Sequence, residues 1–246
     1  MDSIKIDDFI NGLRDKSISL FTLGDISKLF EVKEITIKTA LKRFQNKGVV
    51  SKLARNKYLF ELAVESPSQY QIANFICQPS YISLETAMSL RGIIDQFSYV
   101  ITSVTSKKSR KVNYKGLIFD YTHINRNIFT DYIKQDNYLI ATNQKAVFDY
   151  WYLAYKNSRS RNNLGLINIK KEDLKILIEY INKNIEMKNK DKFVSYIKKN
   201  YDITAQFDIL TNSKILQEQY TNDFDFMNSL WGKGSYHCDT YDTDCG

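Results

Sequence analysis

The sequence has few of the residues from which small catalytic and metal sites are built. Only two of its 246 residues are histidine, His123 and His237, and they lie far apart in the chain. A histidine-based metal site or a Ser/His/Asp triad would need a fold that brings them together. Glycine is also scarce, and Gly232-Lys233-Gly234 lacks the strand and helix of a phosphate-binding loop. We therefore expect no enzyme, no metal and no cofactor.

Long apolar runs are absent as well. No segment approaches the roughly 18 consecutive apolar residues that a membrane-spanning helix needs, and the apolar stretch 147–155 is interrupted by Asp149. The first eight residues lack the basic and then apolar pattern of a signal peptide. We therefore expect a soluble, cytoplasmic protein that does not associate with a membrane.

Cysteine is represented by three residues. Cys77 lies in an apolar helical pattern, which is typical of a small buried side chain. Cys238 and Cys245 belong to a polar tail, residues 232–246, which could form a disulfide loop, a metal clamp with His237, or a flexible extension. A reducing compartment disfavours a lasting disulfide, and one short Cys/His segment is little for structural zinc. We expect the flexible extension.

Positive charge, in contrast, is abundant and concentrated. Between Lys28 and Lys57, seven lysines and two arginines stand against two glutamates, a surplus of seven that equals the formal net charge of +7 of the whole chain. The remainder of the sequence is therefore electrically balanced. A surplus confined to one small module predicts a surface that meets a polyanion.

The same stretch has the pattern of two helices joined by a tight turn. Thr22 is a suitable N-cap for a helix through residues 23–30, in which the apolar residues recur at helical spacing. A second helix is predicted over about 35–47, and Gly48 stands where the helix end requires a left-handed residue. The arrangement predicts a helix-turn-helix.

A hairpin is predicted directly after these helices. Residues 49–53 and 58–60 are rich in residues that favour strands, and the basic segment 54–57 between them forms the predicted tip. A helix-turn-helix followed by such a hairpin predicts a winged helix-turn-helix domain at residues 5–62.

The second helix turns a polar face away from its apolar stripe of Ile37, Leu41 and Phe44. Arginine, glutamine and asparagine bond base edges in the major groove, whereas threonine and lysine favour phosphates. We therefore predict double-stranded operator DNA as a partner. The predicted contacts on the helix and the hairpin tip are Thr36, Lys38, Thr39, Lys42, Arg43, either Gln45 or Asn46, Arg55 and Lys57.

A second domain is predicted at about 68–230, after a boundary that Pro67 and its flanking serines mark at residues 65–68. Helices and a few strands interleave there without a βαβ repeat, so we expect an α+β fold. Ser83 is expected to cap one of its helices and Gly92 to end it. The predicted helices are 69–77, 84–91, 143–156, 171–187 and 191–200, and the predicted extended segments are 99–104, 117–124 and 137–141.

This domain contains three groups of charged residues, and the first of them has three interpretations. A second basic cluster, Lys107, Lys108, Arg110 and Lys111, is expected in a turn, where it would add phosphate contacts, grip an acidic or RNA-bound partner, or simply be solvated. The next two groups are expected to form ordinary ion pairs. They are Lys145 with Asp149, four residues apart on one helix and worth a few tenths of a kcal/mol, and the cluster of Glu85, Arg91 and Asp95.

Several segments together resemble a known family. They are YQIANFICQPSYISLETAMSLRGIIDQFSYVITSVTSKKSRKV at 70–112, IFDYTHI at 118–124 and LIATNQKAVFDYWYLA at 139–154. The spacing from Tyr81 to Gln96, followed by the Lys145 and Asp149 segment, resembles the AbiEi-type antitoxins and transcriptional regulators of abortive-infection (type IV) toxin–antitoxin systems. The resemblance covers about residues 5–155.

The resemblance implies an antitoxin that represses its own operon through the winged helix. It also implies that the second domain neutralises a nucleotidyltransferase-like toxin encoded beside it, in defence against phage. Two alternatives stay open. One is a stand-alone regulator whose second domain senses a ligand or dimerises, and the other is a metal-dependent nuclease or nucleotidyltransferase with a DNA-targeting arm.

Overall fold

The computed structural model describes residues 4–95, 99–156 and 171–200. Helices and two sheets make up this part of the chain, so the expected α+β class is confirmed. The predictions for the tail, including those for His237, Cys238 and Cys245, lie outside the described residues.

Residues 6–60 form three helices and a small antiparallel sheet with the strand order β1-β3-β2. The predicted helices and the hairpin are present, with ends shifted by one or two residues, and α1 and β1 precede them. The elements are α1 Ile6–Asp15, β1 Leu20–Thr22, α2 Leu23–Leu29, α3 Glu34–Asn46, β2 Val50–Ala54 and β3 Lys57–Phe60.

Aromatic side chains hold these elements together. Phe9 of α1 lies at the centre, fully buried, with its ring centroid 4.7 Å from that of Phe44 on α3 and 6.0 Å from that of Phe21 on β1. Such contacts contribute beyond the burial of apolar area. One face of α3 is thereby fixed against the sheet and α1, and its other face is left to solvent.

The following residues form a six-stranded mixed sheet with the strand order β6-β7-β5-β4-β9-β8. The pairs β5–β7 and β4–β9 are parallel and the remaining neighbours are antiparallel. The elements are α4 Gln69–Ile76, β4 Ser80–Ile82, α5 Leu84–Leu90, β5 Val100–Thr105, β6 Arg110–Tyr114, β7 Leu117–His123, a 3-10 turn Arg126–Ile128, β8 Tyr132–Gln135, β9 Tyr138–Ala141, α6 Asn143–Tyr155 and α7 Lys171–Asn184. Residues 190–200 are also helical.

The structure corrects two predictions in this region. Arg110 and Lys111 belong to the edge strand β6, not to a turn, and the expected turn is shortened to residues 106–109. Ser83 occupies the N-cap position of α5, but its side chain does not cap the helix. The hydroxyl of Ser83 donates instead to the carboxylate of Asp149.

The β2–β3 hairpin contributes to two hydrophobic clusters. Tyr58 and Phe60 belong to the N-terminal cluster, whereas Leu53 and Leu59 belong to the cluster that continues through the six-stranded sheet and its helices. Because side chains alternate along a strand, the hairpin can pack on both sides. The hairpin, whose strands belong to the small sheet, is therefore shared by the two hydrophobic clusters.

Candidate nucleic-acid interface

The orientation of α3 is set by the short connection from α2. Thr22 and Asp25 form a reciprocal capping box at the start of α2. At the other end, the Ser27 hydroxyl donates to the carbonyl oxygen of Val32 at 2.5 Å, which ties the connection back to α2. The inward stripe of α3 is Ile37, Ala40, Leu41 and Phe44, all buried.

The outward face of α3 is positively charged and open to solvent. Lys38, Lys42, Arg43 and Asn46 are exposed, as the sequence predicted for this face. The guanidinium carbon of Arg43 lies over the Phe44 ring, 5.9 Å from its centroid. Thr36 is only half exposed.

Two of the predicted contact residues use their donors within the helix itself. The Thr39 hydroxyl donates to the carbonyl oxygen of Ile35 at 3.0 Å, so it is not available to donate to a phosphate. Gln45 is half-buried, and its amide nitrogen donates to the carbonyl oxygen of Leu41 at 3.2 Å. Between Gln45 and Asn46, the exposed Asn46 is therefore better placed to read a base.

The hairpin tip is formed by Arg55 and Asn56, both exposed. Asn56 has a positive φ of 59°, a conformation that asparagine adopts more readily than most residues, and its carbonyl oxygen accepts from the backbone N–H of Leu23. The tip is thereby anchored beside the start of α2.

Lys57, which follows the tip, points elsewhere. Its ammonium group donates to the carbonyl oxygen of Phe75, at the end of α4, and to the Gln78 side chain at 3.2 Å. Burial lowers the pKa of Lys57, and the nearby cations Arg110 and Lys107 lower it further. Unlike Arg55, Lys57 is thus engaged inside the molecule and is poorly placed to contact DNA.

The second basic cluster lies beside Lys57. An open depression on this side is lined by Cys77, the 106–110 segment and His123. Arg110 donates to the carbonyl oxygen of Ile76 at 2.7 Å, and Lys111 pairs with Asp120 at 3.4 Å on the neighbouring strand. Lys107 and Lys108, both exposed, remain the members best placed for an external anion.

A cluster that the sequence did not reveal lies in the interior of the larger sheet region. Lys145 and Asp149 are both completely buried and form an ion pair of 2.6 Å. The Lys145 ammonium also donates to the carbonyl oxygen of Ile128 at 2.6 Å. The second carboxylate oxygen of Asp149 accepts from Tyr81 at 2.9 Å and from Ser83 at 2.8 Å.

This cluster replaces the weak surface pair predicted for Lys145 and Asp149. Burial raises the pKa of Asp149, against the opposing effects of the Lys145 ammonium and the two hydroxyl donors. Burial and the Asp149 carboxylate likewise raise the pKa of Tyr81. The four side chains join β4, the start of α5 and α6, so the cluster holds the fold together. All four side chains are fully buried.

Within the predicted group of Glu85, Arg91 and Asp95, Arg91 forms a hydrogen bond to the larger sheet. Arg91, at the end of α5, donates to the carbonyl oxygen of Ala141 at 3.2 Å. This bond connects the end of α5 to the end of β9. Gly92 follows with a positive φ of 67°, as predicted for a helix terminator.

Neither a cluster of metal-ligating side chains nor a membrane-spanning helix is found in the described ranges. Within residues 4–95, 99–156 and 171–200, no three His, Cys, Asp or Glu side chains come together as a metal site would require. Across those same residues, every helix is too short or too polar to cross a membrane.

Comparison with known proteins adds no assignment. No protein-family model matches the chain, and a search among curated proteins finds no significant match.

Proposed function

We propose that the N-terminal unit is a winged helix-turn-helix that binds double-stranded DNA, with α3 in the major groove and the β2–β3 hairpin as the wing. The observation that carries the proposal is the outward face of α3. Its cations are exposed opposite a buried apolar stripe, so the packing of that stripe fixes the side of the helix from which they project. Exposed cations on a rigid helix suit the phosphates that flank a groove.

The side chains divide by chemistry. Arg43 and Asn46 are assigned to base edges, because arginine and asparagine form paired hydrogen bonds with guanine and adenine. Lys38, Lys42 and Arg55 are assigned to phosphates. Lys57 is left out of the interface because its ammonium group is bound to carbonyl oxygens at the end of α4.

The second basic cluster extends this surface. Lys57 connects the hairpin to the depression that Lys107 and Lys108 line, so the two basic regions are neighbours in the structure. We assign Lys107 and Lys108 to additional phosphate contacts beyond the wing. This assignment favours one of the three interpretations that the sequence left open.

The test is binding of fluorescent duplex DNA to the full-length protein, measured by anisotropy at several salt concentrations. Lys42→Ala should weaken binding to every duplex and reduce the log–log salt slope by about one unit. Lys134→Ala is the matched control. It removes the same charge from the exposed strand β8, at the opposite edge of the larger sheet from β6, and should leave the slope unchanged.

An equal loss in both variants would mean that only net charge matters and that α3 is not the contact. Salt-independent or undetectable binding by the unmodified protein would contradict DNA binding altogether.

We further propose that the chain is an antitoxin-type repressor, as the sequence resemblance implies. One structural observation supports this more specific assignment. Tyr81, Ser83, Lys145 and Asp149 come from the two separate segments that carry the resemblance, and they meet in one hydrogen-bonded cluster. The residues that carry the resemblance therefore act together, because their hydrogen bonds attach α6 to the sheet.

This assignment is tested by co-expression with the product of the neighbouring reading frame, which should be nucleotidyltransferase-like. The full-length chain, expressed from an independent promoter, should restore growth. A variant with Lys38, Lys42 and Arg43 all changed to alanine should do so equally, because neutralisation is assigned to the second domain. If the triple variant fails to restore growth, the chain counteracts the toxin by repressing its expression and not through the second domain. No rescue by the unmodified chain, with DNA binding intact, would favour the stand-alone regulator.

A further inference from the structure

The outward face of α3 contains one large apolar side chain that the charge-based assignment does not use. Ile35, the second residue of the helix, is 63% exposed, whereas Ile37 is 1% exposed. A single exposed isoleucine is unremarkable on most surfaces. This one lies on the face that carries Lys38 and Lys42.

The position of Ile35 on the helix is central to that face. At about 100° per residue, Ile35 lies about 160° around the axis from Ile37, on the side opposite the core. Thr39, Lys42 and Asn46 follow it at spacings of four, seven and eleven residues, which places all four side chains on one line along the helix. Ile35 is the first member of that line, at the N-terminal end of α3.

Thr39 extends the apolar character by one turn. Its hydroxyl donates to the carbonyl oxygen of Ile35, so the donor is used inside the helix. What Thr39 adds to an external partner is therefore chiefly its methyl group. The first turns of the outward face thus present an apolar strip between cations.

We propose that Ile35, supported by the methyl group of Thr39, contacts the C5-methyl group of a thymine in the major groove and so determines sequence preference at one base pair. The inference rests on the proposed function. Residues near the N-terminus of a recognition helix are those that reach base edges. Among the four bases, only thymine offers a methyl group in that groove, and apolar side chains select it by contact. The flanking lysines complement the phosphates on either side.

The experiment replaces thymine by uracil, which removes the methyl group and keeps every hydrogen-bonding atom. A preferred duplex is first selected from a random pool with the full-length protein, and each thymine is then replaced singly. At one position, the unmodified protein should lose about fourfold in affinity, the value of one buried methyl group. Ile35→Ala should bind the thymine and uracil duplexes equally at that position.

Two controls make the outcome decisive. Ile35→Ala should keep the melting temperature of the unmodified protein, because the side chain is exposed, and Lys38→Ala should weaken both duplexes while retaining the preference for thymine. If no single thymine responds, or if Ile35→Ala keeps the full response, this inference is wrong while DNA binding stands. If the selection enriches no duplex and the protein binds no DNA, the proposed function itself fails, and the inference with it.

Discussion

Helices α3 and α6 have the same length, thirteen residues, and use lysine in opposite ways. In α3 the lysines stand in solvent opposite a narrow apolar stripe. In α6 every residue from Lys145 to Trp151 is buried, and Lys145 has no exposed surface at all. A lysine on the solvent-exposed face of a helix can bind a partner, whereas a lysine on a helix that is buried on all sides needs a counterion within the fold.

The difference predicts which lysines can be substituted without loss of stability. A buried ammonium or carboxylate without its partner has a large desolvation cost, so the α6 cluster is stabilising only when complete. The exposed cations of α3 should have little effect on stability and, under the proposed function, a large effect on DNA binding.

Removing the buried cation should have the largest effect. Lys145→Ala leaves the Asp149 carboxylate buried without its ion-pair partner, and we expect a loss of about 3–5 kcal/mol in the free energy of unfolding. Urea titration followed by circular dichroism measures it. Lys38→Ala on α3 is the matched lysine control and should leave the urea midpoint nearly unchanged.

A double variant distinguishes the loss of the whole ion pair from the loss of one partner. In Lys145→Met with Asp149→Leu, no charge is left unpaired, so the protein should be more stable than either single variant. If Lys145→Ala and the Lys38→Ala control lower the stability by similarly small amounts, the lysine of α6 is no more important for stability than that of α3.

Leu59 tests whether the two regions unfold as one cooperative unit. It lies on the hairpin but packs with the larger cluster, and Leu59→Ala should cost about 2–4 kcal/mol. Because the hairpin is shared, unfolding monitored separately in each region should still show one common midpoint, shifted as a whole. Two resolved transitions would show that the regions unfold independently.

Arg43 and Lys42 test the α3 side of the comparison. Arg43→Ala should weaken binding to the selected duplex by about 1–3 kcal/mol and to random DNA much less, because a base contact is specific. Lys42→Ala should weaken both alike and flatten the salt dependence. Gel-shift titrations of the two variants at two salt concentrations distinguish these patterns. Identical behaviour of the two variants would contradict the assigned roles.

Glu61 tests the junction between the regions and should have the smallest effect. Its carboxylate accepts from Tyr114 at 2.7 Å, from Lys115 at 2.8 Å and from Ser51. Burial alone would raise the pKa of Glu61, but these donors outweigh it and lower the pKa below the ordinary 4.5. We expect Glu61→Gln to cost about 1–2 kcal/mol at neutral pH.

The sign of the pH dependence follows from that lowered pKa. The stabilisation by Glu61 is complete above the ordinary pKa and is lost as the pH falls through the lower folded-state value. The difference in stability between the unmodified protein and Glu61→Gln, measured by urea titration, should therefore shrink below about pH 4.5. A difference that is constant with pH would mean that the ionised carboxylate contributes nothing.

Local patterns predicted the elements whose signals lie within a few residues. The N-cap at Thr22, the stripe through Ile37 and Leu41, and the left-handed Gly48 each depend on neighbours along the chain. The strand β6 was missed because it is an edge strand with mostly exposed residues, and its composition of arginine, lysine and asparagine is typical of a turn. Edge strands derive their stability from pairing, which sequence patterns do not contain.

That α3 has one apolar and one cationic face follows from the residues and their order alone, because helical periodicity and charge are properties of the chain. Which charges are exposed depends on the tertiary structure. Lys57 reaches the end of α4, and Asp149, the ion-pair partner of Lys145, accepts from Tyr81 and Ser83 across more than sixty residues of chain. The physical reason is that burial depends on which elements cover a side chain. That covering is set by long-range packing, which the spacing of residues along one helix does not encode.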